Sequence, residues 1–130
     1  GCFDLLHVGH LKLFDAAKQL GDTLLVAIDD DNAVRRLKGA GRPVIGAEER
    51  VRILSALNSV DAVVVFAEGE LEKLIDIIRP DVLAKGSNYA PEEGRGHELV
   101  EAQGGRVALI PVEEALSSSR IIDSIRSGGR

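Results

Sequence analysis

The chain has 130 residues, of which 45% are hydrophobic and 28% charged, and its net charge is −5. This is the size and balance of one globular domain; it excludes a disordered tail, and sixteen basic against twenty-one acidic residues excludes wholesale nucleic-acid binding. No apolar run approaches the roughly 18 residues of a membrane span, no secretory signal is visible, and the lone Cys2 offers neither an internal disulfide nor a zinc cluster, so a cytoplasmic protein with no membrane contact is expected.

Apolar and periodic segments alternate along the chain. Leu11, Leu13, Phe14, Ala17 and Leu20 have the spacing of a helix that ends at Gly21. Asp22 to Ile28 is a short apolar run and reads as a strand. Lys38 to Gly46, with three glycines and a proline, reads as a loop. A helix is expected to start near Ala47 and to carry Val51, Ile53, Leu54 and Leu57. Asp61 to Phe66 is a second strand. Leu71, Leu74, Ile75 and Ile78 form a helix stopped by Pro80. Asp81 to Ala84 is a third strand, Gly86 to Gly96 a loop, and Leu99 to Ala102 a short helix closed by Gly104-Gly105. Arg106 to Ile110 is a fourth strand, and Ser117 to Arg126 a final helix with serine caps.

Continuous apolar strands suit a parallel sheet buried on both faces, and the alternation predicts an α/β domain with right-handed crossovers. In such a fold a strand should precede the first helix. Residues 1–3 supply at most its last rung, so the first strand is expected to lie upstream of Gly1, within one domain spanning 1–130.

The most informative stretch is Gly1-Cys2-Phe3-Asp4-Leu5-Leu6-His7-Val8-Gly9-His10. It falls where a strand hands over to a helix, the place at which open α/β sheets bind ligands. A helix N-terminus presents free N–H groups to phosphate, and two imidazole donors beside it can meet charge growing on a phosphoryl oxygen. Taken alone, a His-x-x-His pair equally suits a helix cap or a metal site. Lys38 lies between Arg36 and Arg42 in the densest positive cluster and is placed to close over a polyphosphate. Ser117, Ser118, Ser119 and Arg120 open the last helix with more hydroxyls than a cap requires.

The front decapeptide resembles the Gly-x-Phe-Asp-x-x-His-x-Gly-His motif of the nucleotidyltransferase superfamily that includes the cytidylyltransferases. Arg36-Leu37-Lys38-Gly39, Arg42-Pro43-Val44, Glu49-Arg50, Pro80 to Tyr89, Gly104 to Val107 and Ser117 to Ser119 extend the likeness, closest to bacterial heptose-1-phosphate adenylyltransferases. Ser87-Asn88 stands where that family commonly has Gly-Asp, and Ser118-Ser119 where it has two threonines. The stretch from Leu11 to Asp22 is at least as similar to glycerol-3-phosphate cytidylyltransferases, but their arginine before the final serine motif is missing here.

The resemblance implies a Rossmann-like open parallel sheet with helices on both faces, and transfer of AMP from ATP to a sugar 1-phosphate with release of pyrophosphate. It implies His7, His10 and Lys38 as catalytic residues and Cys2, Phe3, Gly9, His10, Ser117, Ser118, Ser119 and Arg120 as nucleotide ligands. Asp4, Arg50, Lys85, Asn88 and Tyr89 are the implied substrate ligands. Mg²⁺ would bridge the phosphates through water and substrate oxygens, with no protein metal site. The implied partners are a nucleoside triphosphate and a phosphorylated small-molecule acceptor, in a homodimer or beside a fused sugar kinase. Two alternatives stand beside this reading: a CTP-dependent enzyme acting on a polyol phosphate or phosphonate, and a nucleotide-binding regulatory domain without catalysis.

Overall fold

The computed structural model describes residues 1–87 and 96–111. The elements run α1 (Val8–Lys18), β1 (Leu25–Asp29), α2 (Asp31–Lys38), α3 (Ala47–Ser55), β2 (Ala62–Phe66), α4 (Leu71–Ile78), β3 (Val82–Gly86), α5 (His97–Ala102) and β4 (Arg106–Ile110). The strands form two parallel pairs. In one, β1 lies on β2 with Leu25 opposite Ala62 and Asp29 opposite Phe66; in the other, β3 lies on β4 with Val82 opposite Arg106. Gly1 adds a further rung to β1: its N–H donates to the Ala27 carbonyl and its own carbonyl accepts from Asp29, which is the parallel pattern.

Helix α2 differs from expectation, because Asp31 to Lys38 is helical and Lys38 ends a helix rather than sitting in a loop. The Asp30 carboxylate caps it by accepting from Ala33 N, and Ala33 and Val34 are buried. Its closing turn carries Arg35, Arg36 and Lys38, favourable charges for the negative end of the dipole. Helix α1 begins three residues before the periodic signal. Helix α4 has the predicted bounds and closes with Arg79 in the left-handed region, just before Pro80.

The core gathers Phe14 of α1, Val26 and Ile28 of β1, Leu54 of α3 and Val60, with Phe3, Leu6, Val51 and Val63 packed around them. Strand β1, expected to be buried on both faces, alternates instead. Val26 and Ile28 point inward, whereas Leu25 and Val65 are 38% and 39% exposed. At the opposite end of the sheet from the ligand edge, Asp61 accepts from Lys18 Nζ and Leu24 N, tying the end of α1 to the start of both β1 and β2. The front motif therefore leaves the β1 ladder at Gly1 and enters α1 over a packed base.

Candidate active site

The motif turn is built around two histidines that together cap the first helix. His7 is the N-cap of α1, and its Nδ1 accepts from Gly9 N at 3.1 Å. His10, at the third helical position, accepts from the backbone N–H of His7 through its own Nδ1 at 3.3 Å. This is a capping box with imidazoles in place of the usual hydroxyl and carboxamide. Because each Nδ1 is an acceptor, each neutral ring carries its proton on Nε2. The rings stack with centroids 3.9 Å apart and planes 26° from parallel, so the two Nε2–H donors belong to one stacked pair at the helix N-terminus.

Burial, and then the neighbouring His7, lower the His10 pKa to about 4. At neutral pH His10 is a neutral donor. Phe3 supports it: the two rings meet edge-on at 5.3 Å, and Phe3 also packs on Phe14 at 5.0 Å. Phe3 has φ 49°, a left-handed conformation that costs a bulky residue about 1–2 kcal/mol and is offset here by those ring contacts.

Asp4 and Arg50, expected on the substrate, are turned inward. The Asp4 carboxylate is 1% exposed and accepts from Arg42 Nε at 2.7 Å, Val44 N at 2.8 Å and Ile45 N at 2.8 Å. Burial alone would raise its pKa, but the Ile45 and Val44 N–H groups and the Arg42 guanidinium together hold it below the usual carboxylate value. Arg50 is also 1% exposed. Its guanidinium donates to the carbonyls of Cys2 and Asp29 and to the Asp31 carboxylate, all at 2.8 Å, while its Nε is buried without a partner. Arg50 thus knits the front strand end, β1 and α2 together. Asp31 also accepts from Ala47 N and so starts α3. The sequence reading missed Asp31; its signal was the Asp30-Asp31 doublet directly after a strand.

The expected basic cluster separates for the same reason. Arg42 belongs to Asp4, and Arg36 pairs with Glu68 at 3.0 Å on the surface. Lys38 has no carboxylate partner among the described residues and is exposed. Its charge reaches the Cys2 thiol, whose pKa is raised chiefly by burial and then by Asp29, with Lys38 opposing. Lys85 is half-buried at the C-terminal end of β3, and Gly1 lies within electrostatic reach of both Asp29 and Lys85. The ends of β1 and β3, the motif and Lys38 therefore face one region.

The remaining expected ligands divide. Gly9 lies in the cap, its N–H committed to His7. Cys2 contributes its carbonyl to Arg50 and its thiol to Asp29 Oδ2 at 3.7 Å. Asn88, Tyr89, Ser117, Ser118, Ser119 and Arg120 lie outside the described residues. A cavity of about 280 Å³ opens between Phe3–Leu6 and α3, but neither histidine lines it and its walls are apolar apart from Asp4 and Arg50. Among the described residues no three His, Cys, Asp or Glu side chains converge to hold a metal ion, and no helix is long and apolar enough to cross a membrane.

A model of the cytidylyltransferase-like family matches residues 1–124. The chain belongs to that family. It is 53% identical over 128 residues to the bifunctional protein HldE of Desulfatibacillum aliphaticivorans, covering 98% of this chain and 26% of the relative. The HldE protein of Geotalea uraniireducens is 51% identical over the same shares. The chain thus spans about a quarter of the length of these curated relatives. Among solved structures, the lipopolysaccharide core biosynthesis protein from Thermoplasma volcanium superposes with a TM-score of 0.72 at 26% identity, covering 87% of this chain and 91% of that one. The cytidylyltransferase-like domain is accordingly a nucleotidyltransferase with an α/β fold.

Proposed function

We propose that this domain transfers AMP from ATP to a sugar 1-phosphate such as heptose 1-phosphate, releasing pyrophosphate, within a longer bifunctional chain. The observation that carries the reading is the paired Nε2–H arrangement of His7 and His10 at the N-terminus of α1. The similarity to the bifunctional protein HldE and to a lipopolysaccharide core biosynthesis protein supports the sugar acceptor. The fraction of those relatives that this chain covers supports a second activity elsewhere in the protein, and a sugar kinase would supply the phosphorylated acceptor.

In this mechanism an acceptor phosphate oxygen attacks the α-phosphorus of ATP in line, and the bond to the β-phosphate oxygen breaks. A phosphate dianion is already nucleophilic, so no side chain needs to remove a proton. Catalysis rests on positioning and on donors aimed at the developing charge. His10, neutral and donating through Nε2, stabilises the α-phosphate oxygens beside His7. Lys38 balances the leaving pyrophosphate, with Ser117, Ser118, Ser119 and Arg120 as its further ligands. Lys85, Asn88 and Tyr89 belong to the acceptor side of the site. Magnesium bound with the nucleotide would supply charge neutralisation on the triphosphate, and no side chain among the described residues is assigned to hold it.

Pyrophosphate release, measured with MgATP or MgCTP against heptose 1-phosphate and glycerol 3-phosphate, tests the reading. Turnover is expected with ATP and the sugar phosphate. Preferential turnover of CTP with the polyol phosphate would replace it with the cytidylyl alternative, and MgATP binding without pyrophosphate release from any pair would favour a regulatory domain.

A further inference from the structure

Asp4 belongs to the front motif, three residues before the N-cap histidine, yet every donor on it but one comes from the backbone of a segment some forty residues later. Both Val44 N and Ile45 N donate to it, and Arg42 Nε completes the set from a side chain that is itself 5% exposed. The carboxylate has thus replaced water with three N–H groups of a single loop. That loop begins at Lys38, the last residue of α2. Between Lys38 and Arg42 lie Gly39 and Gly41, both at positive φ, and Ala40. Four residues span at most about 14 Å, so an anchor on Arg42 restricts where Lys38 can stand. At its far end the loop is held again, by Asp31 accepting from Ala47 N. The pairing also occupies the Arg42 charge and leaves Lys38 as the cation of this segment without a carboxylate partner among the described residues.

We propose that Asp4 is a positioning residue: by clasping Arg42, Val44 and Ile45 it joins the Lys38 loop to the histidine turn, so that the lysine and the two imidazoles reach one bound nucleotide together. The inference rests on the nucleotidyl-transfer reading and adds to it a role for a buried motif residue that touches no substrate. It also separates two functions within one decapeptide, with His7 and His10 facing the ligand and Asp4 facing the protein.

The test is a double-mutant cycle in the intact protein, titrated with MgATP by calorimetry and followed by amide hydrogen exchange at Val44 and Ile45. Asp4→Asn keeps the size of the side chain but replaces one acceptor oxygen with a donor, so it cannot serve all three N–H groups. We expect exchange at Val44 and Ile45 to accelerate by about tenfold or more as those amides open. MgATP affinity should fall by about tenfold in Asp4→Asn and in Lys38→Ala, yet Asp4→Asn should add no more than about twofold in the Lys38→Ala background, because coupled residues are not additive. A merely structural Asp4 would give the same loss in both backgrounds. Additive losses, or unchanged exchange in a folded Asp4→Asn protein, overturn the proposal. If Asp4→Asn does not fold, Arg42→Lys takes the Nε donor from Asp4 and keeps the Val44 and Ile45 N–H donors on it; a smaller loss of about threefold is expected, with the same non-additivity, and additivity there is equally decisive. A parent protein that binds no MgATP removes the adenylyl reading and this role with it, whereas additive losses in a protein that does bind remove this role alone.

Discussion

Replacing His10 with glutamine separates its part in folding from its part in chemistry. Glutamine is a normal residue for the third position of a capping box, and its carbonyl oxygen can accept from His7 N as Nδ1 does in the structure. The cap should therefore survive, and the melting temperature at neutral pH should change by only about 3 °C or less. Turnover should fall by about 10²–10³-fold, the usual cost of removing one preorganised donor. Acid behaviour discriminates further. The folded-state pKa of His10, about 4, lies below its ordinary value of 6.5, so the unfolded chain takes up the proton more readily. The stability contributed by neutral His10 is fully present above about pH 6.5 and is lost as the pH falls toward 4. A depression of this size corresponds to ~3 kcal/mol for a ring fully removed from water, and the partial exposure of His10 reduces it to roughly 1–2 kcal/mol. The Asp4 contribution, held below the usual carboxylate value, is lost only at lower pH and does not overlap this window. Urea unfolding at pH 7 and pH 5 measures the difference. Parallel pH dependence in His10→Gln and the parent would refute the assignment of a buried neutral imidazole, and unimpaired turnover would refute its place at the phosphate.

Other sites give simpler outcomes. Arg50→Met should destabilise the domain by about 3 kcal/mol in denaturant unfolding, because the Cys2 and Asp29 carbonyls lose their donor; a variant as stable as the parent would show that water replaces it freely. Gly105→Ala should cost about 1–3 kcal/mol, since a Cβ there would stand 2.8 Å from the Pro80 carbonyl oxygen and 2.8 Å from Val100 Cγ1, and an unchanged thermal melt would contradict that crowding. Lys38→Ala, by contrast, should leave the melt within about 0.5 kcal/mol of the parent, as expected of an exposed residue, while raising the KM for ATP. A loss of stability without a change in KM would make Lys38 a structural residue.

Much of the fold was legible because local signals and burial agree. The apolar runs at Ala62–Phe66 and Arg106–Ile110 became strands at those residues, and the Leu71–Ile78 helix stops where Pro80 forbids another turn. Helix α2 was not predicted, although Asp30, directly after β1, is its cap and Asp31 the anchor of α3. The pairing of His7 with His10 was legible in the decapeptide, because the two residues are three apart and both belong to the cap of one helix. The charged residues could not be sorted in that way. Asp4, Arg42 and Arg50 have the same composition and spacing whether they face a ligand or the interior, and their partners lie 19 to 48 residues away along the chain. Only the tertiary packing decides that, because a buried charge persists where its donors and acceptors converge on it from several elements at once. Asp4 and Arg50 found such partners and became structure, whereas Lys38 found no carboxylate among the described residues and stays exposed.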